Sequence, residues 1–530
     1  MQIRATRAAI AALAIAAAAG TACAVGPEVI MCDVAGQASA SVPGFPGNIF
    51  VSFDKPYRSP DGSRWIISAI TDLAAAEDEV IIVGSGTTWG IAAREGTPVV
   101  AGLPELNGFI DTEMGINNAG SFAYGTNTDA ATTIDDIVVK FDAISGLFSV
   151  VAREGDPIPG VPDEAYGSTL DSHGIIENGD VFFRASATVG LLPTTQDDFV
   201  FLGSTIIGQA GVTVPAGQAL GGNSAWQVFD VGDTQFSGDG TAYILDGDLD
   251  FGSLTADDDI TVVSGTVVLQ ENQPIAGSGL PDLIDLSGIV EVYMSASGDW
   301  MARGNYDVTE IDWLIFNGSI IAMTDTLIPD IGTGESFSDD IFSDCFFTMV
   351  SNNAGDVVYG AVTDNIDVNL NGVMLMLRNG VTSVVAREGD PVDLDGNGLF
   401  DDDAFLSVFN NDDAFLTDDG YLYFTADLRN GAATAIGQAF MRLEVFTAGP
   451  TCQPDLTTGA IAGQPGYGVP NGVVSNDDFF YYLQQFAAGN LAVADLTTGA
   501  VSGQPGYGVP NGVITNDDFF YYLIIFAAGC

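Results

Sequence analysis

The chain is poor in cations: 14 Lys and Arg stand against 70 Asp and Glu among 530 residues, for a formal net charge of −56. A polyanion of this kind repels phosphate backbones and anionic lipid surfaces, which excludes nucleic acid and acidic membranes as partners. Histidine is nearly missing, with His173 alone in the stretch DSHG. A lone imidazole excludes multi-histidine metal chemistry and Ser-His-Asp hydrolysis, and its short polar context predicts a solvated loop residue. Cysteine is scarce too. Beyond residue 24 there are Cys32, Cys345, Cys452 and Cys530. Cys452 and Cys530 bracket the C-terminal segment and are placed to pair; the alternative is unpaired thiols, with Cys530 kept for another linkage. Long apolar runs are confined to Ala8–Ala19, which follows Arg4 and Arg7 and precedes Ala22-Cys23-Ala24. That pattern is a secretory signal over residues 1–24, and it predicts a secreted or cell-surface protein. No later run is long enough to span a bilayer, so no transmembrane segment is expected.

Helical periodicity is likewise lacking between residues 25 and 448, where the chain is Gly-rich and β-branched and predicts an all-β domain. What is present there is a repeat. A polar turn ending in Gly, followed by an apolar strand, recurs at Gly62, Gly120, Gly179, Gly240, Gly298, Gly355 and Gly420, with spacings of 58, 59, 61, 58, 57 and 65 residues. Each unit continues with an apolar run led by an acidic residue, as in IDDIVVKF and QDDFVFL. A further strand ends in VVAREGDP at 150–157 and 384–391, and in AAREGTP at 92–98. Seven such units of three or four strands predict a mainly β fold, a seven-bladed β-propeller, with a tandem of β-sandwiches as the alternative. The last unit lacks its final strand. VIMCDVAGQ, Val29–Gln37, is expected to supply it from the N-terminus and close the ring.

Two features of this body carry candidate chemistry. Glu95, Glu154 and Glu388 stand beside Arg94, Arg153 and Arg387, but a single active site seldom repeats one residue from blade to blade, so a structural Arg-Glu pair or turn is expected. The stretch Asp393-Leu394-Asp395-Gly396-Asn397-Gly398, followed by Asp401, Asp402 and Asp403, sets oxygen ligands at positions one, three, five and nine around a Gly, as a calcium loop requires. Ala404 takes the twelfth position, so one of the three later Asp residues must close the site.

Residues 452–530 hold a forty-residue unit twice, DLTTGAIAGQPGYGVPNGVVSNDDFFYYLQQFAAG from Asp455 and a near-identical copy from Asp495. Asn471, Gly472 and Asp478 match the second half of a calcium loop, as do Asn511, Gly512 and Asp518; Asp455 and Asp495 are the candidate first ligands. Asp455 and Asn471 are sixteen residues apart where an ordinary loop has four, so the insert must loop out. Ser475 with Asp478, and Thr515 with Asp518, have capping-box spacing. Phe479, Leu483 and Phe486, and likewise Phe519, Leu523 and Phe526, give each helix one apolar face to bury against the other.

The body resembles secreted bacterial proteins with tandem NxxGxxAF-type repeats, on Asn117–Ala123 and, apart from its aromatic, Asn352–Val358. The tail resembles a dockerin, and more narrowly the GC-type dockerin-like domain that ends many secreted bacterial proteins, on its duplicated N-G-V-x-x-N-D-D-F-F run and final Gly529-Cys530. The second resemblance implies Ca2+ as cofactor, a cohesin-like or cell-surface partner, and a role for Cys530 in attachment. A binding or structural propeller with a polysaccharide or protein ligand is the expected function; the alternative is a carbohydrate-active enzyme working through Asp and Glu and carried as docked cargo.

Overall fold

The computed structural model describes residues 26–446 except 110–112, 189, 191, 220–221, 231, 233, 251–256, 276–282, 310, 330, 332–333 and 339–344. Beyond these it describes 454, 456–462, 467–468, 474–500, 507 and 511–528. The signal segment, Cys452, Cys530, Asp455 and Asn471 lie outside the described residues. The chain forms two compact units, Met1–Val445 and Phe446–Cys530.

The first unit is a seven-bladed β-propeller. Seven antiparallel sheets of four or five strands follow one another as blade 1 (50–94), blade 2 (106–153), blade 3 (165–209), blade 4 (226–270), blade 5 (284–323), blade 6 (346–387) and blade 7 (405–444). Within each blade the strands pair in chain order, and in blades 1, 2 and 4 the first strand is split into two pieces. Second strands such as Trp65–Thr71 and Val357–Val362 are buried along nearly their whole length. A blade is covered by a neighbour on each face, so these strands are written as continuous apolar runs rather than alternating ones. The fourth strands, Thr88–Arg94 for example, are only partly buried. Apolar clusters bridge adjacent blades: Ile66, Ile81, Phe122 and Tyr124 join blades 1 and 2, and Trp65, Ile82, Tyr423 and Phe440 join blades 1 and 7.

All seven repeat glycines lie in the turn between first and second strands, with φ between 72° and 94°. An L side chain is strained in that region, which is why the turn ends in Gly each time. These turns gather at one end of the propeller axis. Asp61 N donates to Asn118 Oδ1 at 2.9 Å, Asn118 N to Glu177 Oε1 at 3.0 Å, Glu177 N to Gly238 O at 2.8 Å and Gly238 N to Ala296 O at 2.9 Å. Asn353 Nδ2 reaches Pro60 O at 2.7 Å while its own N–H donates to Asp418 at 2.9 Å.

The ring closes as the sequence predicts. Glu28–Cys32 pairs antiparallel with Ala435–Glu444 as the fourth strand of blade 7, setting Glu28 opposite Arg442 and Cys32 opposite Ala439. Arg442 Nε meets Glu28 Oε2 at 2.8 Å. Cys32 and Cys345 are both buried free thiols.

The second unit contains helices α1 (Asn476–Ala488), α2 (Leu491–Ala494) and α3 (Asn516–Ala528). The capping box at Ser475 and Asp478 is formed, and Gly489 ends α1 in the left-handed region. Tyr482 and Tyr522 stack at 3.7 Å and 8° between planes, flanked by Phe479 against Phe526 and Phe486 against Phe519. The expected phenylalanines do meet, but the centre of the contact is this tyrosine pair; Leu483 and Leu523 are only half-buried at its edge.

Candidate functional site

The first strands of all seven blades line the propeller axis and wall a cavity of about 250 Å³. Near the gathered turns its lining is mostly apolar, with Ile116, Ile175, Phe236, Met294, Met349 and Phe415. A few residues earlier in the same strands comes a charged layer: Lys55 from blade 1, Glu113 from blade 2, His173 from blade 3, Glu291 from blade 5 and Asp412 from blade 7. The layer is a product of closure, since five different repeats each contribute one residue.

The charges in it are set against one another. Lys55 Nζ lies 3.4 Å from Glu291 Oε1, Arg303 Nε lies 3.0 Å from Glu291 Oε2, and Arg303 also reaches Asp412 at 3.3 Å. Burial works against the Lys55 charge, yet Glu291, Tyr57 and Asp412 more than offset it and hold the ammonium above its ordinary range. Burial likewise opposes ionisation of Glu291, but Lys55, Asp412 and Arg303 bring its carboxyl below the usual carboxylate range. Asp412 moves the other way, pushed up to about 8 by burial and by Glu291 beside it. One carboxylate of the pair is thus ionised and the other protonated at neutral pH. Asp413, its neighbour, is raised to about 6 by burial, and Thr425 Oγ1 donates to it at 2.7 Å. A second set sits in blade 3, where Arg184 bridges Asp171 and Asp198 at 3.1 Å each.

His173 is not the solvated loop residue that its polar context predicts. It lies inside the eleven-residue strand Ala165–Ile175 and is 4% exposed. Its ring packs over Gly125, where a Cβ would fall 2.1 Å from the imidazole, so the space exists only because that position has no side chain. Neither ring nitrogen has a hydrogen-bond partner among the described residues, and Glu113 Oε2 is 4.0 Å from Nδ1. Burial lowers the imidazole to about 4, so it is neutral. The strand reaches this position through a kink: Ser172 has φ of 53°, and Asp412 in blade 7 has φ of 59°. Strain of this kind at non-glycine residues collects at functional sites.

The sequence-predicted metal ligands lie elsewhere. In the connection between blades 6 and 7, Asp393, Asp395 and Asp402 bring carboxylate oxygens within 4.8 Å of one another. Asp393 accepts from Asn397 N at 3.1 Å and Gly398 N at 2.7 Å, and Asn397 Oδ1 accepts from Leu399 N at 2.7 Å. Asp402 joins this group through Leu394 N and Asp395 N, whereas Asp401 is not one of the three and Asp403 turns to Gly431 N at 2.8 Å. In the tail the long insert does loop out: Asp495 accepts from Asn511 N at 3.0 Å and Gly512 N at 2.5 Å. Asp478 and Asp518 are fully buried and already engaged with donors, each taking the N–H groups of the Leu-Thr in its own copy and of its N-cap residue. The Arg-Glu pairs expected at the REG segments do not form. Arg94 pairs with Glu77 and Arg387 with Glu335, both at 2.6 Å, and Arg153 Nε donates to Ile134 O at 2.9 Å.

No single-repeat pattern marks the axial layer, but one signal was available. Of the twelve cations beyond the signal segment, Lys55, Arg58, Arg184 and Arg303 cluster about the axis.

No protein-family model matches this chain, and no curated protein matches its sequence. Among solved structures it is similar to the β-propeller domain of the Trilobed protease from Pyrococcus furiosus, with TM-score 0.37 and 5% identity over 75% of this chain and 96% of that one. It is also similar to an oligogalacturonate lyase from Vibrio parahaemolyticus, with TM-score 0.38 and 10% identity over 79% and 98% of the two chains. The propeller of Dos1 is a third, with TM-score 0.35 and 8% identity over 75% and 93%. The blade count rests on the strand pairing of this chain itself.

Proposed function

We propose that this protein is a secreted propeller that binds a saccharide unit in its axial cavity and is held at the cell surface by a calcium-dependent, dockerin-like tail. The observation that carries the reading is the two-part lining of that cavity. Hydroxyl edges of a sugar suit the Lys55, Glu291 and Asp412 layer, and its C–H face suits the aromatic and methionine surface beneath. At about 250 Å³ the space is somewhat smaller than the roughly 300–1,000 Å³ of drug-sized pockets and suits one ring or a chain end. In the tail, Asp495, Asn511 and Gly512 gather as the start of a calcium loop does, which supports the docking role, and the Asp393–Asp402 connection supports a second calcium site in the body.

Calorimetric titration of the full chain against neutral and uronate oligosaccharides tests the axial site. Binding is expected, and Lys55→Ala and Glu291→Gln are each expected to abolish it; no binding across the panel overturns the proposal. A second reading, a carbohydrate-active enzyme, is favoured by the split protonation of Glu291 and Asp412, the division that acid–base catalysis on a glycosidic bond requires. Reducing-end release that Glu291→Gln eliminates would replace binding with turnover.

A further inference from the structure

The REG segments of blades 1, 2 and 6 end the fourth strand, and each glutamate turns toward the two residues that open the third strand of its own blade. In blade 2 these are Asp135 and Asp136, and with Glu154 they bring three carboxylate oxygens within 4.8 Å of one another. Glu154 is only 7% exposed, and its Oε2 has no hydrogen-bond partner. Blade 1 repeats the arrangement. Glu95 is 6% exposed beside Asp78 and Glu79, and its Oε2 is unpartnered in the same way. The adjacent arginine answers neither glutamate, because Arg153 is spent on Ile134 O and Arg94 on Glu77.

Blade 6 provides the contrast within the same molecule. There the acidic pair is replaced by Asn371 and Gly372, and Glu388 Oε2 accepts from Gly372 N at 3.0 Å. Where the acids are absent, the glutamate is satisfied by the backbone; where they are present, a buried oxygen is left facing other carboxylates. Three such groups at this separation cannot all stay ionised without a positive charge among them. Burial, and then the neighbouring acids, raise both Glu154 and Glu95. A hard divalent cation, which takes six to eight oxygens, meets the need of an all-oxygen cluster in a chain with few cations of its own.

We propose that Asp135, Asp136 and Glu154 form a divalent-cation site of the calcium class that clamps the end of the fourth strand of blade 2 to the start of its third. This site is separate from the axial cavity and from the calcium loops of the blade 6–7 connection and the tail.

Equilibrium dialysis of the full chain against calcium chloride at neutral pH, up to about 1 mM as suits extracellular sites, counts the bound ions. Glu154→Gln is expected to lower the count by one, and Glu388→Gln to leave it unchanged. Asp136→Asn gives the same loss by a second route should Glu154→Gln fold poorly. Emission from the five tryptophans, all of which lie in the propeller, verifies that each variant is folded. An unchanged count in folded Glu154→Gln and Asp136→Asn overturns the proposal and leaves a shared proton as the neutralising charge. Loss of an ion in Glu388→Gln overturns it as well, since the blade 6 contrast would no longer hold. Asp393→Asn with Asp395→Asn reports on the connecting loop alone, so a failure there is distinguishable from a failure here.

Discussion

The two units of this chain repeat themselves in opposite ways. In the tail the copies are almost identical in sequence, and their helices meet face to face through Tyr482 and Tyr522. In the propeller the seven copies share geometry but little text. A two-fold contact makes each residue face its own counterpart, so a change in one half is felt by the same surface in the other. A blade asks less of its sequence: a left-handed Gly in the turn, a buried second strand, and an apolar face for each neighbour. The inner strands are therefore free to differ, and the axial layer is assembled from residues that occur once each.

The broadest break in the comparison comes from removing residues 25–45. The propeller is expected to lose cooperative unfolding entirely, because blade 7 loses Glu28–Cys32, while the helical signal of the tail persists. Retained cooperative tryptophan unfolding would show that the ring does not depend on its closing strand. Next in size, Tyr522→Ala removes a fully buried ring from the tail interface and should cost about 3–5 kcal/mol there, as core aromatic truncations do. Because the tail has no tryptophan, its melt, followed by far-UV dichroism of the helices, should drop while tryptophan emission from the propeller holds its midpoint. Gly355→Ala tests the propeller in the same spirit. The nearest atom to the added Cβ is 3.9 Å away, so the cost is conformational, about 1–2 kcal/mol, and denaturant titration should place it in the tryptophan-monitored transition alone.

Smallest is a pH effect confined to the propeller. Asp412 has a folded-state pKa near 8, above its unfolded value, so its contribution is present at lower pH and is lost as pH rises through 8. Between pH 7 and 9 the propeller should lose about 1 kcal/mol from this group, and Asp412→Asn should flatten that slope. The tail, with no raised carboxylate among its described residues, should not share it.

Much of the propeller was legible in the sequence, because its rules are local and periodic. The seven turn glycines, the acid-led third strands and the missing last strand all declare themselves in the spacing. The axial site was not legible, since Lys55, Glu113, Glu291 and Asp412 are adjacent only after the ring closes and occupy no common motif. His173 was misplaced for a related reason. DSHG has the composition of a turn, but the kink at Ser172 lets the strand run through it, and Gly125, some fifty residues earlier, makes the room. The substitution of Asp402 for Asp401 in the connecting loop reflects irregular backbone, where no period fixes which of three consecutive acids turns inward.

Closure by the first strand has a consequence in time. Glu28 finds Arg442 across 414 residues of chain, so the earliest strand made must wait, unpaired, for nearly the last strand of the body. Loop closure over that distance is slow relative to hairpin formation within a blade. Each blade can therefore zip locally as it appears, while completion of the ring acts as a check on length. A chain cut short anywhere before blade 7 has no partner for residues 28–32 and stays open, with an edge exposed to chaperones and proteases. The docking tail lies downstream of that checkpoint, so a chain that carries it has also been made long enough to close.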